Sequence, residues 1–199
     1  MGTNGLILGF GVFKKLNIDI SRSSKFFSKK FLLELTFILL LSWFFALGSR
    51  FNIRLPFWGV PFTLQTLVFN LAALTLGYRA VFAYLAFYTQ GIFGAPFFTG
   101  GGHGILYILG PTGGYLVGFL FMMLFLAITK DFQNKSICWT LGKVAISQLI
   151  LYFFGLLHLL SFVGVEKVFV VGLYPFWGGM LIKSILASYL SVRFYKSLS

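Results

Sequence analysis

The stretch GAPFFTGGGHGILYILGPTGGYLVGF, Gly94–Phe119, is where Gly, Pro and Thr crowd together between two strongly apolar runs. Each flank reads as membrane helix, so this segment is partly non-helical backbone close to a bilayer. Irregular backbone is tolerated at membrane depth only where it packs inside protein or lines a cavity. The stretch therefore predicts a site for a small polar ligand beneath a Gly-rich loop.

Composition agrees with a membrane setting. The chain is 58% hydrophobic and only 10% charged, with a mean hydropathy of +0.92. So few charges cannot cover a soluble surface, which makes this an integral membrane protein. Lys plus Arg number 16 against 4 Asp plus Glu. In a soluble protein that excess points to nucleic acid. Here the cations lie mostly in loops and at the N-terminus, where they set orientation instead, so nucleic acid is not an expected partner. Cys138 is the single cysteine, which excludes an internal disulfide and a Cys-based metal site. His103 and His158 have no carboxylate nearby in sequence, and no H-E-x-x-H pair exists, so neither a zinc site nor any other cofactor is expected.

Residues 1–30 do not read as a cleavable signal, because the apolar patch Leu6–Phe13 precedes the positive charges and no A-x-A pattern follows. Leu6 occupies the position where a myristoylation motif needs Ser or Thr. This segment reads as a basic cytoplasmic arm that lies on anionic lipid or as a disordered tail.

A spanning helix needs roughly 20 apolar residues. Six segments come near that length: Phe31–Ser49, Val60–Leu76, Ala80–Phe93, Gly113–Thr129, Ile137–Val163 and Val168–Phe194. With the N-terminus inside, the cytoplasmic face receives Lys14, Lys15, Arg22, Lys25, Lys29, Lys30, Arg79, Lys130, Lys135, Lys143, Arg193 and Lys196. The outer face receives only Arg50, Arg54 and Lys167. That bias satisfies the positive-inside rule. The expected fold is an all-α integral membrane protein of six transmembrane helices over 31–199, both termini cytoplasmic. Its Gly-rich loop lies outside, between helices three and four. The chain is too short for the paired six-span halves of a typical secondary transporter.

Several residues stand out chemically. Lys183, in GGMLIKSILAS, is placed about midway along the sixth span. An ammonium at the bilayer centre costs at least ~2.5–3.5 kcal/mol on insertion scales and usually faces the interior with a job. It suits an anionic or carbonyl-bearing ligand, and the competing reading is a snorkelling stem. Glu34 reads as an interfacial carboxylate beside Lys29 and Lys30. His103 sits at the centre of the Gly-rich loop, as a ligand contact or a plain surface group; His158 reads as a hydrogen-bonded core histidine. Gln65 and Gln90 are amides inside spans and must find partners there. Helix–helix bonding is the reading for Gln65, whereas Gln90, just before the loop, is placed to reach a ligand. Gly110, Gly114 and Gly118 form a small-residue stripe suited to close helix packing, a pattern repeated by Ser42 and Ala46 in LSWFFALG. GPTGG lacks the spacing of a phosphate loop, so energy for active transport must come from another subunit or an ion gradient.

Three motifs together carry a family resemblance: VPFTLQT (Val60–Thr66), the run G-x-x-G-x-P-x-F from Gly91 to Phe98 followed by Gly100–Gly102, and LGPTGGYLVGF (Leu109–Phe119). Over residues 35–195 the chain resembles the BioY family, biotin-specific substrate-binding components of energy-coupling factor transporters. The resemblance implies six helices, biotin held near the outer face, and partnership with a transmembrane coupling protein and two cytoplasmic ATPases, though some members are thought to work without them. It implies a docking face at Ser42 and Ala46. The implied substrate-binding set is Lys183, Gln90, His103, Gly101, Gly102, Tyr115 and Met180, with apolar residues around the valeryl chain and thioether ring. One departure matters. The family's sixth helix usually reads close to LPFLPGDLLKAAL, whereas this chain has LYPFWGGMLIKSIL. Lys183 matches the family Lys and Met180 replaces its Asp. Another acceptor such as Gln90 compensates, or affinity is low, or the ligand is a biotin relative lacking the intact ureido ring; compensation is favoured. The leading expectation is a non-enzymatic biotin-uptake subunit of the cell membrane. The alternative keeps the architecture but binds a biotin precursor or another small vitamin. A membrane-embedded enzyme is disfavoured, since no acid–base or nucleophile constellation exists.

Overall fold

The computed structural model describes residues 28–53, 62–130 and 136–198. Most of the expected basic arm, the start of VPFTLQT, Arg54 and Lys135 lie outside the described residues. The chain divides at Phe37/Ile38, and the packing described here is that of the larger unit from Ile38 onward.

Helix α1 covers Lys29–Arg50. A two-residue strand β1 (Asn52–Ile53) then pairs antiparallel with β2 (Phe62–Thr63), with Asn52 opposite Thr63. Helix α2 begins only at Gln65 and ends at Leu76, so the expected second span starts later than Val60. Its first residues are drawn into the ladder, which Leu64 extends by donating its N–H to the Phe51 carbonyl at 3.2 Å. Helix α3 is Tyr78–Ile92, α4 is Gly104–Leu109, α5 is Gly113–Ile128 and α6 is Ile137–Val163. Apart from the ladder, the architecture is helical.

The expected sixth span is corrected. The apolar stretch Val165–Ser197 is not one helix but α7 (Val165–Gly172), a 3₁₀ turn at Tyr174–Phe176, and α8 (Trp177–Leu198). Pro175 lacks an N–H, and its ring clashes with the carbonyl four residues back, so a continuous helix is broken here. Lys183 therefore sits in the second turn of α8.

Among the described residues, three helical stretches are long and apolar enough to cross a bilayer: Lys29–Arg50, Ile137–Val163 and Val165–Ser197. The others are short. At 1.5 Å per residue, the 12 residues of α2 reach only about 18 Å. Together these apolar helices describe a multi-pass membrane protein.

Helices α5 and α6 share the most extensive contact, and glycine sets their distance. A Cβ on Gly114 would lie 2.3 Å from His158 Cβ and 2.5 Å from the Phe154 carbonyl oxygen, and one on Gly118 would lie 2.7 Å from the Leu151 carbonyl. Helix α2 packs against both α8 and α5. The core between α1, α2, α3 and α5 is aromatic. Phe69 makes edge contacts with Phe45, Tyr84, Phe87 and Phe119, the geometry that ring quadrupoles favour. Tyr84 lies in this core and donates its hydroxyl to the Leu116 carbonyl at 2.5 Å, so the polar atom is satisfied.

Candidate functional site

The Gly-rich segment is built by backbone that only glycine adopts freely. Gly100 (φ 72°) and Gly101 (φ 82°) are left-handed, which lets the chain turn sharply after Thr99. Gly102 faces the Tyr107 ring so closely that a Cβ would lie 2.1 Å from it. Tyr107 in turn stacks on Phe98 and donates to the Thr99 carbonyl at 3.3 Å. Thr99 is thereby fixed and turned inward. The second half of the segment is tied to α6, where the His158 ring meets the Gly110 carbonyl at 3.0 Å.

Beneath this loop lies a cavity lined by Thr63 of β2, Gln65 and Thr66 from the start of α2, Thr99 and Thr112 from the loop, and Tyr115 and Phe119 from α5. Leu151 and Tyr152 of α6, Phe176 of the 3₁₀ turn, and Met180 and Lys183 of α8 complete it. The Pro175 break brings α8 to this wall at its N-terminal end. Lys183 is buried, and its Nζ donates to the Thr63 carbonyl at 3.0 Å. Tyr115 donates to the Gly172 carbonyl at 2.8 Å, pinning α5 to the end of α7. The lining mixes hydroxyls, one amide and one ammonium with the apolar Phe119, Leu151 and Phe176. None of these residues carries a carboxylate.

Gln65 has the most pointed geometry in the cavity. It is only 3% exposed, and its Oε1 accepts the Thr99 hydroxyl at 3.2 Å. Its Nε2 is buried with no hydrogen-bond partner. Such an orphaned donor costs roughly 1–3 kcal/mol, and native proteins rarely keep one without a reason.

The structure sorts the expected residues. Lys183, Tyr115 and Met180 line the cavity; Gln90, His103, Gly101 and Gly102 are not among its lining residues. Gln90 is the clearest change from expectation, because its Nε2 donates to Ser42 Oγ and to the Ala86 carbonyl, both at 2.9 Å. It bonds α3 to α1, the role expected of Gln65, and the two amides exchange places. His103 is exposed and its Nδ1 meets the Gly101 carbonyl at 3.2 Å. Gly101 lies beside the Arg50 guanidinium, which donates to the Pro96 carbonyl at 3.1 Å. The expected docking face is also corrected: Ser42 and Ala46 are buried in the chain itself, Ser42 as the partner of Gln90. Thr63, Thr66, Thr99 and Thr112 were not singled out by sequence reasoning. Three of them carry a legible signal, Thr63 and Thr66 within VPFTLQT and Thr112 within GPTGGY; Thr99 lies in neither motif.

Comparison with known proteins identifies the group to which this architecture belongs. The BioY family profile matches residues 21–199. The chain belongs to the BioY family. It is 32% identical over 149 residues to a protein of Pyrococcus horikoshii named a probable biotin transporter BioY, spanning 74% of this chain and 87% of that one. It is 32% identical over 146 residues to the biotin transporter BioY of Thermotoga maritima, spanning 72% and 86% respectively. It is 33% identical over 151 residues to biotin transporter BioY2 of Lactococcus lactis, spanning 74% and 82%. Among solved structures, the S-component for biotin from an ECF-type ABC transporter superposes with a TM-score of 0.74 over 85% of this chain and 94% of that one, at 24% identity. The BioY fold is thus the fold of this chain. Membership in a family of transporters makes it a carrier component rather than an enzyme.

Proposed function

We propose that this chain is the biotin-capturing subunit of an ATP-driven energy-coupling factor transporter, resident in the cell membrane. Biotin would bind at the outer face in the cavity beneath the Gly-rich loop. The observation that carries the reading is the buried Lys183 ammonium in a mixed polar and apolar cavity, within a BioY chain. Hydrogen-bond donors at Lys183 and Gln65 suit the ligand's polar groups. Phe119, Leu151 and Phe176 suit its thioether ring and valeryl chain, as is usual in small-molecule sites. In this reading α1, α2, α3, α5, α6 and α8 are the six spans, and both termini are cytoplasmic. A transmembrane coupling protein and two ATPases would supply the energy, since the chain carries no phosphate loop. The outward side of α1, with Leu40, Trp43, Phe44 and Leu47 exposed, is the face we assign to the coupling protein.

The deciding experiment is equilibrium binding of labelled biotin to the purified protein in detergent, beside Lys183→Ala and Met180→Asp. We expect the natural chain to bind and Lys183→Ala to lose at least about tenfold in affinity, equivalent to ~1.4 kcal/mol. Absence of binding by the natural chain, with gain in Met180→Asp, would overturn the biotin assignment and favour a biotin relative as ligand.

A further inference from the structure

Resting on the biotin reading, we propose that Gln65, through its Nε2, is the specificity-determining residue that reads the carbonyl oxygen on the ligand's head. The corollary is that this site demands an acceptor there and makes little demand on the neighbouring N–H groups.

Three observations meet at this point. The Gln65 amide is held at one end, where its Oε1 accepts the Thr99 hydroxyl at 3.2 Å. Thr99 is itself held by the loop through Tyr107, which donates to its carbonyl. The Gln65 Nε2 is buried without a partner, and Gln65 is one of the residues that line the cavity. A primary amide nitrogen offers hydrogen only, so the group that completes it must be an acceptor.

The second donor of the cavity is the Lys183 ammonium, and among the described residues that line it none has an acceptor-only side chain. The chain has just four acidic residues, and the two among the described residues, Glu34 and Glu166, do not line the cavity. One turn before Lys183 on α8 stands Met180, whose thioether accepts only weakly. The complement of this donor-rich lining is a carbonyl or carboxylate oxygen. The N–H groups of a cyclic urea would meet neutral hydroxyls such as Thr66 and Tyr152, or the Met180 sulfur. Neutral acceptors make weaker hydrogen bonds than ionised ones, so blocking an N–H forfeits little here.

The test compares ligands as well as variants, in the purified full chain. Biotin, 2-thiobiotin (a poorer acceptor at the head) and an N-methylated biotin are titrated into the natural protein, Gln65→Leu and Gln65→Glu. Gel filtration and thermal unfolding check each variant's fold. We expect the natural chain to bind 2-thiobiotin about tenfold more weakly than biotin, the loss of one hydrogen bond, and to bind the N-methylated ligand within a few-fold of biotin. Gln65→Leu should bring the biotin-to-thiobiotin ratio to near one. Gln65→Glu, which replaces the donor by an acceptor in the same shape, should weaken biotin more than Gln65→Leu does. Biotin binding that is insensitive to Gln65→Glu, or a thiobiotin ratio near one in the natural chain, overturns this inference alone. Failure of the natural chain to bind biotin overturns the parent reading, and this one with it. Should both Gln65 variants misfold, a biotin-to-thiobiotin ratio of about ten that survives in Lys183→Ala supports the inference, and a ratio near one there overturns it.

Discussion

Two glutamines show what a residue's type says and what it leaves open. Gln65 and Gln90 are both amides within apolar helices, and the need for partners at that depth follows from chemistry alone. Which of them faces a ligand depends on helical phase and on what stands opposite. Gln90 meets Ser42 of α1 and is satisfied; Gln65 meets the Thr99 hydroxyl with one end, keeps the other without a partner, and lines the cavity. Nothing in the linear order of residues encodes that exchange. A separable prediction follows. Ser42→Ala removes the Gln90–Ser42 bond but leaves Gln90 donating to the Ala86 carbonyl. Stability should fall by about 0.5–1.5 kcal/mol, the net value of one hydrogen bond. Ligand affinity should not move, because neither residue lines the cavity. Thermal unfolding in detergent beside a binding titration checks both halves, and a large affinity loss in Ser42→Ala would place α1 in the site.

At the scale of elements, the sequence was most legible where a single residue type has a single physical use. The α6 boundaries fall where expected at Ile137–Val163, since a long apolar run between polar termini allows little else. The glycine stripe also located a real seam: Gly114 and Gly118 are the points at which α5 touches α6. The last helix was less legible, because its apolar run continues through Tyr174–Phe176 and only Pro175 marks the break. Hydropathy averages over a window and passes across one proline. The α5–α6 seam makes a sharp prediction. At Gly114 even a methyl would collide with the Phe154 carbonyl and His158 Cβ, neither of which is the free end of a flexible side chain. Gly114→Ala should therefore destabilise by roughly 1–3 kcal/mol, as overpacking does. It should also weaken ligand binding, since adjacent Tyr115 lines the cavity. Gly142, on the same α6 helix, has open space where its Cβ would stand. Gly142→Ala should be neutral or gain up to about 1 kcal/mol from helix propensity. If both variants melt at the temperature of the natural protein, the glycines are not what sets the helix spacing.

For the whole molecule, orientation in the bilayer decides whether the cavity can serve uptake at all. In the proposed orientation, charge asymmetry puts the α2–α3 junction, followed by Arg79 at the start of α3, and the segment between α5 and α6, flanked by Lys130, in the cytoplasm. At that end the buried Lys143 Nζ donates to the Thr129 carbonyl at 3.0 Å, capping the C-terminus of α5 where a cation is favoured. The cavity lies at the opposite ends of these helices, with Thr112 and Tyr115 at the start of α5. The chain supplies its own reporter. Cys138 is the single cysteine of the sequence, exposed in the first turn of α6 on the side that the charges assign to the cytoplasm. A membrane-impermeant maleimide should leave it unlabelled in intact cells and modify it in inside-out vesicles. Moving the thiol to the other end of α6, as Lys167→Cys in a Cys138→Ser background, should reverse the pattern, because Lys167 is exposed in the first turn of α7. Labelling of the natural chain from outside the cell would invert the molecule. The cavity would then open to the cytoplasm, and capture of a vitamin from the medium could not be its task.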